Sequence, residues 1–295
     1  MRNSRRPHAG TILLIGFDSA WTSKNHGAIV GLVRKDDGTF RELGQPRIAN
    51  FTEAAAAISA WRSTERPAAT IVLIDQPTIV TNAAGQRPVE HLVASPVGLR
   101  YGGIQPANTS RVEMFGPEAP VWQFLEQFGG AADPVSPRAD TQVFETYPVL
   151  ALIALGWVLP DKRVTGRLPK YNPEQRKTFS IDDCRHVCER LSDEIAARHL
   201  SGLDVWISEL KTKQPPCKAD QDRLDACICL LVALYLVEPK ECLMVGDTDT
   251  GHIMVPHGDG LRRELDERCK ETSRDPSLWV RTVNAGQQGH APDRQ

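Results

Sequence analysis

Two short runs of apolar residues in the first third of the chain are almost uninterrupted by polar positions. They cover residues 11–17 and 70–74, are rich in Ile, Leu and Val, and lead directly into Asp18 and Asp75. Continuous rather than alternating apolar residues are typical of strands that are covered on both faces of a sheet. The pattern therefore predicts two buried strands of an α/β sheet, each followed by an aspartate.

The other apolar segments predict a mixture of strands and helices. Residues 27–33 and 40–49 are expected to be strands joined by a turn at residues 35–38, because Asp-Gly between apolar runs favours a hairpin. Residues 141–144 predict a further strand, and Pro148 soon after it suits a first helical position. The expected helices cover residues 51–62, 148–156, 181–199 and 220–237, and a terminal hairpin covers residues 241–256 with its turn at 247–251.

Residues 76–140 interrupt this pattern because they are rich in Gly, Pro and Asn. We expect a loop-rich insertion there, with one short helix at residues 121–127. Long irregular insertions in compact domains are more often functional than idle. The whole pattern predicts a single domain over residues 11–256, with disordered tails at 1–10 and 281–295.

The composition is that of an ordinary globular protein, with 41% apolar and 24% charged residues. It argues against a disordered, fibrous or membrane class, and the apolar run at residues 226–237 is too short to span a bilayer. Seven cysteines without framework spacing predict reduced thiols and a cytoplasmic protein. The net charge of −2 offers no whole-surface attraction to nucleic acid, so such binding would need local basic patches.

Four acids, namely Asp18, Asp75, Glu145 and Asp225, stand where predicted elements begin or end, and Asp222 is a fifth candidate. Asp18 and Asp75 follow buried strands, and if these strands are parallel neighbours, their carboxyl ends lie at the same edge of the sheet. Glu145 ends a third strand, next to a helix start whose dipole favours negative charge. Asp222 and Asp225 lie about 60° apart on a helix face that continues as an apolar stripe. Because an isolated buried carboxylate is costly, a divalent cation is one partner that would neutralise several of these acids together.

Each acid also has a structural explanation when it is taken alone. Asp18 and Asp75 suit turns, whereas Glu145 and Asp222 suit the start of a helix. The structural explanation is weakest for Asp225, which lies deeper in its helix among apolar neighbours. The coincidence of Asp18, Asp75, Glu145 and Asp225 at places that one fold would bring together favours a metal site.

Four short motifs occur in a specific order and spacing along the chain. They are Gly16-Phe-Asp18, Ile74-Asp75-Gln-Pro77, Glu145-Thr-Tyr-Pro148 and Asp222-Arg-Leu-Asp225-Ala226. The last of them resembles the paired-aspartate helix of Holliday-junction resolvases of the ribonuclease-H-like superfamily. Over residues 11–256, the chain resembles the domain-of-unknown-function family numbered 429, whose members are predicted to be ribonuclease-H-like nucleases.

The resemblance implies a mixed sheet flanked by helices and a metal-dependent phosphodiester hydrolase. Two Mg²⁺ or Mn²⁺ ions about 3.5–4 Å apart would activate a water and stabilise the leaving oxygen. Asp18 is expected to anchor both ions, with Asp75, Glu145 and Asp225 as further catalytic ligands and Asp222 as a fifth metal ligand. Resolvase-like relatives often act as dimers, so the resemblance also makes a homodimer a candidate assembly.

The implied substrate is nucleic acid, and the sequence leaves open whether it is DNA, RNA, a branched junction or a smaller phosphoester. Residues 161–177 contain six basic and two acidic residues, a net charge of +4, with Tyr171 among them as a stacking surface. Runs of charge are more often simply solvated surface. The candidate substrate contacts are Lys218 at the start of the acidic helix, Arg87 and Arg111 in the insertion, and Lys170 in the basic segment.

Two other classes of protein stay open on the sequence alone. The first is a non-catalytic module on the same fold that binds nucleic acid or protein and uses its acids structurally. The second, a nucleotide or sugar-phosphate enzyme, is disfavoured because the chain shows neither a glycine-rich phosphate loop nor a duplicated core. Residues 247–251 resemble the start of a calcium loop, but Gly258 replaces the glutamate that such a loop requires at its twelfth position.

Overall fold

The computed structural model describes residues 10–19, 21–135 and 140–283. The predicted tails therefore lie largely outside the described residues. The described strands are β1 (Ile12–Asp18), β2 (Gly27–Arg34), β3 (Phe40–Glu42), β4 (Arg47–Ala49), β5 (Ala69–Ile74), β6 (Thr141–Glu145), β7 (Cys242–Asp247), β8 (Gly251–Pro256) and β9 (Val280–Val283). The described helices are α1 (Phe51–Glu65), α2 (Pro88–Gly98), α3 (Val112–Phe115), α4 (Pro120–Gln127), α5 (Pro148–Ala154), α6 (Ile181–Ala196), α7 (Ser201–Thr212), α8 (Lys218–Val237), α9 (Asp259–Glu271) and α10 (Pro276–Trp279).

A mixed sheet of six strands forms the centre of the described fold, in the order β3-β2-β1-β5-β6 with β4 also paired to β2. Strands β1, β5 and β6 are parallel to one another, whereas β2 is antiparallel to β1. The predicted mixed α/β class is therefore confirmed. It follows that β1 and β5, the two strands with continuous apolar sequence, are adjacent and end at the same edge.

The strand expected over residues 40–49 is wrong in one respect, because it consists of two short strands. Gly44 adopts a φ of 110°, which favours glycine and breaks the extended conformation between β3 and β4. Both short strands pair with β2 at different places along its length. They therefore act as one interrupted edge of the sheet.

Helices cover both faces of the sheet, as the continuous apolar pattern predicts. On one face, Leu13, Ile15 and Phe17 of β1 belong to a core that includes α1 and α4. On the other face, α8 packs across β1, β2 and β5. A Cβ atom on Gly16 would lie 2.1 Å from the backbone oxygen of Ala226, so only glycine allows this close approach of β1 and α8.

Helix α8 is apolar on almost every side after Asp225, because the sheet and neighbouring elements bury it there. Cys227 and Cys229 are buried within it, as expected of thiols that act as small apolar groups, and Cys217 just before it is exposed. Across the described ranges, no helix combines the length and the apolar character needed to cross a membrane.

The insertion at residues 76–140 is more regular than its composition suggests. In addition to the expected helix, now α4, it contains α2 and α3. Pro96 inside α2 argues against a helix from sequence alone. Val89, Leu92 and Val93 nevertheless bury α2 against its neighbours, and this packing outweighs the local propensity.

A second sheet, in the order β8-β7-β9, contains the predicted hairpin and extends beyond it. Strand β9 pairs with β7, so the fold continues past residue 256, and the predicted tail at 281–295 begins inside a strand. Residues 284–295, like residues 1–9, lie outside the described residues. Arg100 joins the end of α2 to α9 through an ion pair with Glu264 at 2.6 Å.

Helix α7 is not predicted by the sequence pattern, and α6 is shorter than the predicted 181–199. The chain ends α6 at Ala196 and turns at His199, whose φ is 58°. The first turn of α7 is held by the carboxylate of Glu42, which accepts hydrogen bonds from the backbone N–H groups of Gly202 and Leu203 at 2.9 and 2.6 Å. A long-range contact thus satisfies the helix start in place of a local capping residue.

Candidate functional site

A cavity of about 860 Å³ lies where the carboxyl ends of β1 and β5 meet the first turns of α8. Its walls include residues 101–105 of the insertion, residues that follow β6, and residues 168–178, which contain no helix or strand and are named the cover segment. All five acids that the sequence singled out line it, namely Asp18, Asp75, Glu145, Asp222 and Asp225.

Asp18 and Asp75 lie on the sheet face that packs against α8. Side chains alternate along a strand, so Asp18 faces the same side as Gly16, and Asp75 faces the same side as Leu73 of the α8 core. Asp225 enters the same space from α8, two turns into the helix. The absence of a side chain at Gly16 thus brings an acidic helix directly over the end of an acidic strand.

Asp18 is only 6% exposed, and its carboxylate has no hydrogen-bond partner among the described residues. Burial raises its pKa well above the usual value, and the charges of Asp225 and Asp75 raise it further. The pKa of Asp75 is also raised, first by burial and then by the charges of Asp225 and Glu145. Without a compensating cation, these ionised carboxylates are therefore unfavourable in this environment.

Asp225 is held by neutral hydrogen-bond donors. The hydroxyl of Tyr171, in the cover segment, donates to its Oδ1 at 2.6 Å, and the amide of Gln221 donates to its Oδ2. Burial raises the pKa of Asp225 to about 6, against the opposing effects of these hydrogen bonds and of the charge of Lys218. The sequence suggested Tyr171 as a stacking surface, but its ring is buried and its hydroxyl positions Asp225.

Lys218 forms an ion pair with Asp222, one turn further along α8. Its ammonium also donates to Oε1 of Gln221 at 2.6 Å. Burial opposes the charge of Lys218, but the hydrogen bond to Asp222 and the charges of Asp18, Asp222 and Asp225 outweigh it and raise its pKa. The acid cluster therefore contains a built-in cation.

Glu145 is engaged differently from the aspartates. Register pairs it with Ile74, one position out of phase with Asp75, so it leaves the strand on the other side. The guanidinium of Arg87 donates to both of its oxygens at 2.6 and 2.8 Å, and also to Glu90 at 2.9 Å. Arg87 is 1% exposed and lines the cavity, where it forms an ion pair with Glu145. The substrate contact expected from the sequence stays a prediction.

The other predicted substrate contacts lie in different surroundings. Lys170 lines the cavity, and its ammonium donates to the backbone oxygen of Tyr101 at 2.5 Å. Arg111 is not among the lining residues and donates instead to the backbone oxygen of Pro106 at 2.9 Å. At the mouth of the cavity, Tyr101 is 46% exposed, and the guanidinium of Arg163 lies 3.4 Å from its ring centre.

Sequence reasoning missed Gln76 and the roles of Tyr147 and Gln221. Gln76 is fully buried and lines the cavity, where its Oε1 accepts a hydrogen bond from Ser19 at 2.5 Å while its Nε2 has no partner among the described residues. The hydroxyl of Tyr147 donates to the backbone oxygen of Gly103 at 2.7 Å and joins the strand end to the insertion. All three are polar residues one to four positions from a site acid, which is the signal that would have identified them.

The residues present fit Mg²⁺ or Mn²⁺ in their donor chemistry. Asp18, Asp75 and Asp225 offer the hard carboxylate oxygens that these cations prefer, and Asp18 is a buried acid whose carboxylate has no hydrogen-bond partner among the described residues. Their side chains are not arranged around a common point, since the described residues contain no group of three or more His, Cys, Asp or Glu side chains placed to hold a metal ion.

Comparisons with known proteins point to a family and to nothing narrower. Neither the curated proteins nor the solved structures contain a match to this chain. The sequence model of the family described as "protein of unknown function (DUF429)" matches residues 16–250, which include all five acids of the cavity. The chain therefore belongs to this family of proteins of unknown function, DUF429.

Proposed function

We propose that this protein is a divalent-metal-dependent phosphodiester hydrolase of the ribonuclease-H-like superfamily that acts on nucleic acid. The observation that carries the proposal is the convergence of Asp18, Asp75 and Asp225 in one cavity. Burial raises the pKa of all three carboxyl groups. A group of buried acids with perturbed pKa values in a cleft is a candidate functional site.

The topology supports the superfamily assignment by analogy. If the interrupted edge of β3 and β4 is counted as one strand, Asp18 ends the first strand and Asp75 follows the fourth. Asp225 lies on α8, the helix that crosses both of these strands. The ribonuclease-H-like superfamily, which the sequence resembles, has an acid on its first strand, another on its fourth and a last acid on a C-terminal helix. Fold alone does not determine the substrate.

Each residue of the site has a distinct role in the proposed reaction. Asp18, Asp75 and Asp225 would hold the cation, and Tyr171 fixes the orientation of Asp225 through its hydrogen bond. Mg²⁺ or Mn²⁺ bound there would lower the pKa of a water and stabilise the leaving oxygen. The ammonium of Lys218 lies within the cavity and can donate a hydrogen bond to a phosphate oxygen. Glu145 acts as a positioning residue through Arg87.

The test is cleavage of single-stranded, duplex, hybrid and branched DNA and RNA by the purified protein. Reactions contain Mg²⁺, Mn²⁺ or EDTA, and the variants are Asp18→Asn and Asp225→Asn. Asp220→Asn is the matched control, because Asp220 is a buried acid of the same helix that pairs with Lys213 and does not line the cavity. We expect cleavage that needs metal, disappears in the first two variants and survives in the control.

Two outcomes would contradict the proposal. Cleavage that persists in EDTA or in folded Asp18→Asn protein would show that the acid cluster is not the catalytic site. If folded wild-type protein neither cleaves any substrate nor binds Mn²⁺, a non-catalytic module whose acids are structural becomes the better explanation. That alternative takes its support from the ion pairs of Glu145 and Asp222.

A further inference from the structure

The five acids of the cavity differ in whether a basic side chain neutralises their charge. Glu145 is neutralised by Arg87 through two hydrogen bonds at 2.6 and 2.8 Å. Asp222 is neutralised by Lys218 in an ion pair within one turn of helix. Two of the five carboxylates therefore already have a fixed cation of their own.

The other three carboxylates have no such partner. That of Asp18 has no hydrogen-bond partner among the described residues, although the residue is only 6% exposed. Asp225 accepts side-chain hydrogen bonds only from the neutral groups of Tyr171 and Gln221. Asp75 is hydrogen-bonded through its backbone oxygen, which accepts from Trp21 at 2.9 Å, and this leaves its carboxylate available.

Lys218 is placed to act on all three of these acids. Its side chain lines the cavity, and its ammonium reaches Asp225 indirectly through Gln221, which accepts from Lys218 and donates to Asp225. The positive charge of Lys218 attracts all three carboxylates. Lys213, which precedes α8, forms a comparable ion pair with Asp220 of α8 but does not line the cavity.

We propose that this site takes a single divalent cation on Asp18, Asp75 and Asp225, and that the ammonium of Lys218 is the fixed second positive charge beside it. The inference rests on the proposed function and departs from the pair of ions expected from the sequence. A second divalent ion would have to displace Lys218 from Asp222 or Arg87 from Glu145. Either displacement leaves a buried or half-buried cation without its partner, which is unfavourable.

The experiment counts Mn²⁺ ions on the full chain by titration calorimetry and by electron paramagnetic resonance. Wild-type protein is expected to bind one ion with the spectrum of an isolated Mn²⁺. Lys218→Met removes the built-in cation and frees Asp222, so we expect a second ion and a spectrum broadened by coupling between two ions. Lys218→Gln, which keeps a hydrogen-bond donor for Asp222, is the second variant in case the first does not fold.

Two further variants isolate the role of Lys218. Lys213→Met is the matched control and should still bind one ion, because its pair with Asp220 lies outside the cavity. The double variant Lys218→Met with Asp222→Asn should return to one ion, because the carboxylate that accepts the second ion is gone. If Lys218 acted only through the general stability of α8, the added Asp222→Asn substitution would not restore binding of a single ion.

Failure of this inference is distinguishable from failure of the proposed function. Two coupled ions on wild-type protein, together with cleavage that EDTA abolishes, would overturn the single-ion inference and leave the hydrolase standing. One ion on both wild-type protein and Lys218→Met, with equal affinity, would overturn the role of Lys218. No bound ion on any folded variant would overturn both proposals.

Discussion

At the scale of single residues, the raised pKa of Asp225 makes the stability of the folded protein depend on pH. Its pKa in the folded protein is about 6, raised by burial, whereas an unfolded chain has a value near the ordinary one. At low pH the group is protonated in both states, whereas between about pH 4 and about pH 6 it ionises in the unfolded chain and stays protonated in the folded protein. Stability that is present below about pH 4 is therefore lost between about pH 4 and about pH 6.

Asp225→Asn should consequently stabilise the metal-free protein at neutral pH. The neutral amide still accepts the Tyr171 hydrogen bond but carries no charge. We expect a gain of up to about 3 kcal/mol in the free energy of unfolding near pH 8, falling toward zero near pH 4. Urea denaturation in EDTA at both pH values measures it.

Asp222→Asn is the control for this pH dependence. Asp222 has Lys218 as its counter-ion, so removal of its charge leaves a half-buried ammonium without a carboxylate. We expect Asp222→Asn to give no gain at pH 8. Equal destabilisation of Asp225→Asn at both pH values would contradict the assignment of Asp225 as a buried, unfavourably ionised acid.

Glu145 should show the opposite behaviour, because its charge is matched. Glu145→Gln leaves the buried guanidinium of Arg87 with one carboxylate instead of two. Breaking a buried pair in this way should lower the free energy of unfolding by about 3 kcal/mol. Thermal denaturation compares it with Glu113→Gln, which removes an exposed pair with Lys24 and should leave the midpoint unchanged. No loss on Glu145→Gln would show that the Arg87 pair is dispensable.

The sequence could identify the acids of the cavity but not their partners. Asp18, Asp75 and Asp225 follow from local pattern, since each stands at a predictable place on a strand or helix. The engagement of Glu145 by Arg87 joins positions 58 residues apart and depends on strand register. Alternation along β6 was the one available signal, because it places Glu145 one position out of phase with the two aspartates.

At the scale of elements, the contact between β1 and α8 determines the geometry of the site. Gly16→Ala would place a Cβ atom 2.1 Å from the backbone oxygen of Ala226 and 2.4 Å from the nitrogen of Leu230. Backbone atoms in a buried helix cannot shift individually, so α8 must move away from the strand and take Asp225 with it. We expect a loss of about 1–3 kcal/mol in stability and a loss of Mn²⁺ affinity.

Gly31→Ala in β2 is the matched control for this substitution. The atoms nearest to its Cβ atom would belong to the side chains of Trp61 and Leu43, at 3.0 and 3.3 Å, and these can adjust. Denaturation and Mn²⁺ titration of both variants separate a general effect of alanine in the sheet from displacement of α8. Unchanged Mn²⁺ affinity in folded Gly16→Ala would show that α8 does not supply a ligand.

The elements that could not be predicted are those held by distant contacts. Strands β1 and β5 and helix α8 follow from apolar runs, and the sheet order is consistent with that pattern. Helix α2 contains a proline that disfavours it locally, and α7 begins on the carboxylate of Glu42 in β3. Local propensity is a weak guide where tertiary packing of this kind supplies the stabilisation.

At the scale of the whole molecule, the net charge of −2 means that the proposed binding of nucleic acid would depend on local groups, such as those that line the cavity. Asp18, Asp222 and Asp225 are only 4–6% exposed, beneath the cover segment. A duplex has its phosphates on a wide, stiff surface, whereas a single strand can enter a cavity and place one phosphate near Lys218. Tyr101, which lines the cavity and is 46% exposed, has Arg163 over one face of its ring, and we expect a base to stack on the other face.

We therefore expect the protein to bind single strands more tightly than duplexes of the same length and sequence. Fluorescence anisotropy of Asp18→Asn in EDTA measures binding without cleavage. Tyr101→Ala should weaken single-strand binding by about 1–3 kcal/mol, as expected for the loss of one stacked base. A second prediction concerns the dependence of single-strand binding on salt. If Lys170 and Lys218 are the two phosphate contacts, the logarithm of the affinity for a single strand should fall with the logarithm of salt concentration at a slope of about −1.4. Lys170→Gln should halve that slope, whereas Arg111→Gln, outside the cavity lining, should leave it unchanged. Equal affinity for duplex and single strand, with a steep slope that neither substitution alters, would place nucleic-acid binding elsewhere on the surface.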